Sequence, residues 1–105
     1  MVKYVTSAEL EALLKTSDKP VFCDFWATWC GPCRMLAPVF EDVSDKYEDK
    51  AVFVKIDVDE NEEAAMKYGI SSIPNVMAFK NGAKADSSLG FIPQAALEAF
   101  IEKNL

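Results

Sequence analysis

A chain of 105 residues, 50% of them hydrophobic, can bury roughly two-thirds of its unfolded surface, so residues 1–105 are expected to fold as one domain without cross-links. Against 11 Lys and Arg stand 17 Asp and Glu, and the net charge of -6 argues against nucleic-acid and anionic-membrane partners, whose phosphates need a basic face. The chain has no histidine, which excludes Ser-His-Asp and Cys-His catalysis and histidine-ligated metals.

Val2 to Thr6 is a short β-branched run that predicts a strand, and Thr6 and Glu9 then stand at capping-box spacing ahead of a helical stripe of Leu10, Leu13 and Leu14. Pro20 opens Val21 to Ala27, a nearly continuous apolar run of the kind found in a strand buried on both faces, and Asp24 interrupts it. From Pro32 onward, Leu36, Val39, Phe40, Val43 and Tyr47 recur at helical spacing, with Pro38 inside the pattern as an expected kink. Ala51 to Asp57 reads as another buried strand. Asn61 is placed to cap a short helix through Tyr68, which Gly69 ends. Asn75 to Lys80 and Lys84 to Leu89 flank Asn81-Gly82, the strongest short hairpin signal. Pro93 is expected in the first turn of a last helix whose Leu97, Phe100 and Ile101 face the core. The order βαβαβαββα combines parallel crossovers with one terminal hairpin, giving an α/β fold with a mixed central sheet covered on both faces.

Trp29-Cys30-Gly31-Pro32-Cys33 falls between the buried strand and the long helix, at the carboxyl end of a central strand, where open α/β sheets place their sites. Two cysteines three apart can form and break a disulfide without large backbone movement. As a permanent staple the pair would contribute little, about 2 kcal/mol against about 3 for a 15-residue loop. As half of a zinc site it lacks partners, because a structural zinc takes four ligands and the chain has only three cysteines. The third, Cys23, sits in the apolar run and reads as a buried inert thiol. The pair therefore reads as a redox site. Met1 to Ser7 lacks the apolar core of a signal peptide and no apolar run could span a bilayer, so a cytosolic protein is expected. In that reducing compartment a two-cysteine pair is more often transient and catalytic than structural.

These residues closely resemble the thioredoxin family over essentially the whole chain. The match includes Asp24-Phe25-Trp26-Ala27, the Trp29 to Cys33 motif, Ala37-Pro38, Lys55, Asp57, Tyr68-Gly69-Ile70, Ile73-Pro74, Phe79-Lys80-Asn81-Gly82 and Gly90. The resemblance implies the thioredoxin fold, a mixed five-stranded β-sheet flanked by four helices. It further implies a monomeric protein-disulfide reductase and electron carrier that binds no cofactor of its own. Reducing equivalents would come indirectly from NADPH or ferredoxin through a thioredoxin reductase. Clients would include ribonucleotide reductase, peroxiredoxin and methionine sulfoxide reductase.

Roles follow from position. Only a thiolate attacks a disulfide, and Cys30, at a helix start, meets unpaired N–H groups and the positive end of the dipole, so it is expected to be the nucleophile. Cys33, one turn inward, would resolve the mixed disulfide. Gly31 leaves space over the sulfur and Pro32 fits the first turn; in the resemblance a Gly-Pro pair marks reductases. Asp24 should have its acidity lowered by burial and could accept the Cys33 proton through water. The alternative is a structural carboxylate paired with Lys55 on a neighbouring strand, and Lys55 would modulate Asp24 in either case. By resemblance, Ile73-Pro74 forms a cis-proline loop whose backbone pairs with an extended client, bordered by Trp29, Gly90 and Phe91. Trp26 is expected to be core. The chain departs from the family pattern at Asn75, where Thr is usual, and at Phe91, where a small residue is usual. A reductase dedicated to one partner system, and a non-catalytic binding module, are the competing readings.

Overall fold

The computed structural model describes all residues from Met1 to Leu105. The expected order holds: β1 (Val2–Tyr4), α1 (Ser7–Thr16), β2 (Val21–Trp26), α2 (Gly31–Lys46), β3 (Val52–Asp57), α3 (Glu62–Lys67), β4 (Asn75–Lys80), β5 (Ala83–Leu89) and α4 (Gln94–Lys103). The strands lie side by side as β1-β3-β2-β4-β5, which puts β2 at the centre of the sheet. β1, β3 and β2 run parallel, as their helical crossovers require, while β4 and β5 form the antiparallel side. This is the five-stranded mixed sheet with four helices of the thioredoxin fold. No helix is long and apolar enough to cross a membrane.

Strand alternation sorts the apolar side chains into two cores. Phe22, Phe53, Val76 and Ala78 meet Leu36, Phe40 and Val43 of α2 and Leu97 and Ile101 of α4. On the other face, Cys23, Phe25, Val54, Met77 and Phe79 meet Leu10 and Leu14 of α1 and Ala64 of α3. Val21 to Phe25 are buried without a break, which explains the apolar run read for β2. Phe22, Phe25, Phe40 and Phe79 are enclosed to 0–1% exposure, and each such side chain contributes about 1.5–3 kcal/mol of burial. Cys23 and Asp24 point to opposite faces, Cys23 toward α1 and α3.

The helix ends show where local signals hold. Thr6 and Glu9 form the capping box, with Glu9 N–H donating to Thr6 Oγ1 at 3.1 Å and Thr6 N–H donating to Glu9 Oε1 at 2.9 Å. At the end of α3, Ile70 N–H reaches the Ala65 carbonyl and Gly69 N–H reaches that of Met66, the Schellman pattern. Asn81 at φ 54° and Gly82 at φ 79° make the two-residue hairpin turn. Glycine is required at 82 twice over, since a Cβ there would also lie 3.0 Å from the Leu14 carbonyl oxygen. Helix α2 continues through Pro38 to Lys46.

Two caps differ from the sequence reading. Asn61 precedes α3 as expected, but its side chain does not cap that helix. Its Oδ1 accepts the Ser7 N–H at 2.9 Å and its Nδ2 donates to the Asp57 carbonyl at 3.1 Å. The cap of α3 comes from Ser7, whose Oγ accepts the Ala64 N–H at 3.2 Å. Asn61, with φ −138° and ψ 60°, lacks the extended backbone of a side-chain cap, so α1 and α3 cap each other across 54 residues of chain. Pro93 sits one position earlier than expected, as the N-cap of α4, where its ring offers no acceptor.

Candidate active site

The central strand delivers the cysteine motif to the carboxyl edge of the sheet. After Trp26 the chain passes Ala27, Thr28 and Trp29 and enters α2 with Cys30 as N-cap, at φ −89° and ψ 110°. Cys30 Sγ there accepts the backbone N–H of Cys33 at 3.2 Å, the bond that Ser or Asp makes at an ordinary N-cap. Arg34 N–H to the Cys30 carbonyl is the first intrahelical bond, so the missing N–H of Pro32 costs α2 nothing. A donor that would otherwise be orphaned, and the positive end of a 16-residue helix, thus converge on one sulfur.

Cys30 and Cys33 are joined as a disulfide, with their Cα atoms 5.2 Å apart. Cys30 is 5% exposed and Cys33 is 1% exposed. Helix position distinguishes the two sulfurs more sharply than accessibility does. A Cβ at Gly31 would meet no atom within 4 Å, so packing against the rest of the fold does not demand glycine there. Pro32, next in the chain, is exposed.

Opposite the disulfide, the Ile73–Pro74 peptide bond is cis and the Ile73 carbonyl oxygen lies 3.9 Å from Cys30 Sγ. The Pro74 carbonyl accepts the Gly90 N–H at 2.8 Å, which ties the loop to the end of β5. Trp29 is 67% exposed, and its Nε1 donates to Asp59 Oδ2 at 2.8 Å. Beside it runs a groove of about 310 Å³ lined by Trp29, Val58, Asp59, Met66, Ile70 and Ile73. The sequence reading placed Trp29 and Ile73 at such a groove but missed Val58, Asp59, Met66 and Ile70. Nothing local marks Asp59 as a partner of Trp29, since the β3 crossover brings them together over 30 residues. An 81%-exposed methionine at 66 is visible only once α3 is oriented.

Gly90 and Phe91 follow β5 next to Pro74, where Leu89 is 61% and Phe91 39% exposed. Of the two departures from the family pattern, Phe91 reaches the surface, whereas Asn75 is buried. Asn75 is in register with Phe25, so its side chain points toward the α1 and α3 face, where its Oδ1 has no hydrogen-bond partner. It does not present to a client directly.

Beneath the site, Asp24 is fully buried and neither carboxylate oxygen is hydrogen-bonded. Burial pushes its pKa up to about 7, and the Lys55 charge opposes that rise. Lys55 lies directly across the β2–β3 register from Asp24, with its Nζ 3.8 Å from Oδ2. The structural pairing and the proton-accepting chemistry are therefore compatible. Trp26 is half-buried, packs against the cysteine pair and carries the Lys55 ammonium 4.8 Å from a ring centroid, so it is more than core. Burial pushes the Cys23 thiol well up from the ordinary thiol range, which keeps it protonated and inert.

Residues 1–103 match the family model described as Thioredoxin. The chain is 46% identical over 101 residues to Thioredoxin 1 of Nostoc sp., covering 96% of this chain and 94% of that one. It is 50% identical over 91 residues to Thioredoxin of Bacillus subtilis, covering 87% and 88%. With Thioredoxin of Rickettsia bellii it shares 45% identity over 105 residues, the whole of both chains.

Proposed function

The chain belongs to the thioredoxin family and is a thiol-disulfide oxidoreductase, and we propose that it works in the reducing direction, as a general cytosolic reductase of protein disulfides. The observation that carries the exchange chemistry is the placement of Cys30 Sγ at the start of α2, accepting the Cys33 N–H. That contact favours negative charge on Cys30, and a sulfur that is a good thiolate is both a ready nucleophile and a ready leaving group. It marks Cys30 as the attacking sulfur; the reducing direction is supported by the Gly31-Pro32 pair between the cysteines, which in the resemblance marks reductases, since a stabilised thiolate by itself makes a dithiol a weaker reductant.

In the reduced protein the Cys30 thiolate attacks one sulfur of a client disulfide. The second client sulfur leaves as thiolate and takes a proton from water, and a mixed disulfide joins Cys30 to the client. The Ile73 carbonyl, 3.9 Å from Cys30 Sγ, is placed to accept a backbone N–H of the extended client segment. Cys33 then gives its proton to Asp24 through water and attacks Cys30 Sγ, releasing the remaining client sulfur as thiolate. Two electrons have moved to the client, and Cys30–Cys33 is the disulfide present in the structure. With a pKa of about 7, Asp24 is balanced between accepting and returning that proton near neutrality.

No cofactor takes part in this cycle. Recharging falls to a thioredoxin reductase drawing on NADPH or ferredoxin, and ribonucleotide reductase, peroxiredoxin and methionine sulfoxide reductase are the client classes proposed. Insulin reduction coupled to purified reductases, with each donor in turn, tests the reading. Sustained turnover that is lost in both Cys30→Ser and Cys33→Ser is expected. Binding of clients without turnover, unchanged in the double serine variant, would instead identify a binding module.

A further inference from the structure

Tyr4, Lys55 and Asp24 form a row across three adjacent strands. The β1–β3 register sets Tyr4 against Lys55, and the β3–β2 register sets Lys55 against Asp24, so all three side chains stand on the α2 and α4 face. Lys55 is 5% exposed, and its Nζ, 3.8 Å from Asp24 Oδ2, is beyond good hydrogen-bond reach of the carboxylate. Two aromatic rings flank the ammonium, Trp26 at 4.8 Å and Tyr4 at 5.6 Å from their centroids, and the rings meet edge to face at 6.0 Å. Ring faces attract a cation through their quadrupole, most strongly where the cation has lost water.

We propose that Tyr4 is a positioning residue for the resolving step: with Trp26 it clamps the Lys55 ammonium beside Asp24 and so governs when Asp24 can take the Cys33 proton. Lys55 lies between Tyr4 and Asp24, so the Tyr4 ring stands on the side by which a flexible lysine would snorkel outward to water. Without that ring the ammonium gains a hydrated position farther from Asp24, while Asp24 stays buried. The carboxylate then loses its nearest opposing charge and holds its proton more tightly.

Few other groups bear on Asp24. β3 brings Lys55 and, two residues on along the same face, Asp57; β4 brings Val76 and Ala78. The only buried titratable group of α2 is Cys33, and the buried face of α4 is Leu97, Phe100 and Ile101. The ring of Tyr4 is thus the one feature of β1 that can act on the pair through Lys55.

The effect on turnover rests on the reading of Asp24 as proton acceptor, but the clamp itself is read independently by titrating the Asp24 carboxyl carbon by NMR in the oxidised full chain. Tyr4→Leu, which keeps apolar bulk and loses the ring, should raise the Asp24 midpoint by about half a unit, roughly a threefold gain in proton affinity. Tyr4→Phe should keep the wild-type midpoint, and Tyr4→Trp should restore it if leucine loosens β1. In a Lys55→Met background Tyr4→Leu should move nothing. An unchanged or lowered midpoint in Tyr4→Leu, or an equal rise in the Lys55→Met background, would overturn the clamp. The pH profile of mixed-disulfide resolution should shift by the same half unit; a profile that stays put while the midpoint moves would remove Tyr4 and Asp24 from the resolving step.

Discussion

Asp24 is enclosed without a hydrogen bond, and its folded pKa of about 7 lies well above the ordinary carboxylate value of 3.8. A raised folded pKa means that the fold disfavours the ionised form. The penalty is absent below the unfolded pKa, grows as pH rises toward about 7, and is complete above it. Asp24→Asn keeps the shape and cannot ionise, so its stability relative to wild type should improve by roughly 2–3 kcal/mol between pH 5 and pH 8. Urea melts at the two pH values measure this, and turnover should fall in the variant. A variant whose relative stability is independent of pH, with normal turnover, would make Asp24 a plain partner of Lys55. The sequence showed Asp24 as the interruption in an apolar strand, and the cysteines as a motif four residues long, because both signals are local. The roles of Asp59, Met66 and Tyr4 depend on crossovers that bring distant segments together, and no spacing encodes them.

At the scale of elements, the N-termini of α1 and α3 depend on each other. Ser7 supplies the acceptor for the Ala64 N–H, and Asn61 supplies the acceptor for the Ser7 N–H while holding the Asp57 carbonyl. Ser7→Ala should cost about 1 kcal/mol, as loss of a capping side chain does, and speed amide exchange at Ala64. Asn61→Ala, which loses two bonds, should cost more and speed exchange at Ser7. Exchange that changes only within each substituted residue's own helix would contradict the reciprocal arrangement. Periodicity and turn chemistry made all nine elements legible in order, and the capping box, the Gly69 helix end and the Asn81-Gly82 turn are set within a few residues. By sequence Asn61 looks like a local cap, because Asn before a helix usually is one. Its true partner belongs to another helix, and only the packing of α3 on α1 reveals it.

For the whole molecule, the fold aims a helix N-terminus at one sulfur. Parallel crossovers bury β2 at the centre of the sheet, β2 ends at Trp26, and the chain turns into α2 with Cys30 as its cap. The Ile73 carbonyl of the Ile73-Pro74 loop approaches that sulfur, and the groove beside Trp29 presents a largely apolar surface. The sheet centre could be derived from element order, and the placement of the motif at its carboxyl edge followed. The floor of the groove could not, because it is assembled from three separate segments around residues 29, 58–66 and 70–73. The proposed cycle requires Cys30 as the attacking sulfur and Cys33 as the resolving one. The direct test is to mix reduced Cys33→Ser and Cys30→Ser variants with a disulfide client and map the trapped species by mass spectrometry. Cys33→Ser should hold a long-lived mixed disulfide through Cys30, while Cys30→Ser should hold none. Trapping through Cys33 in the Cys30→Ser variant, with none in Cys33→Ser, would contradict the assignment.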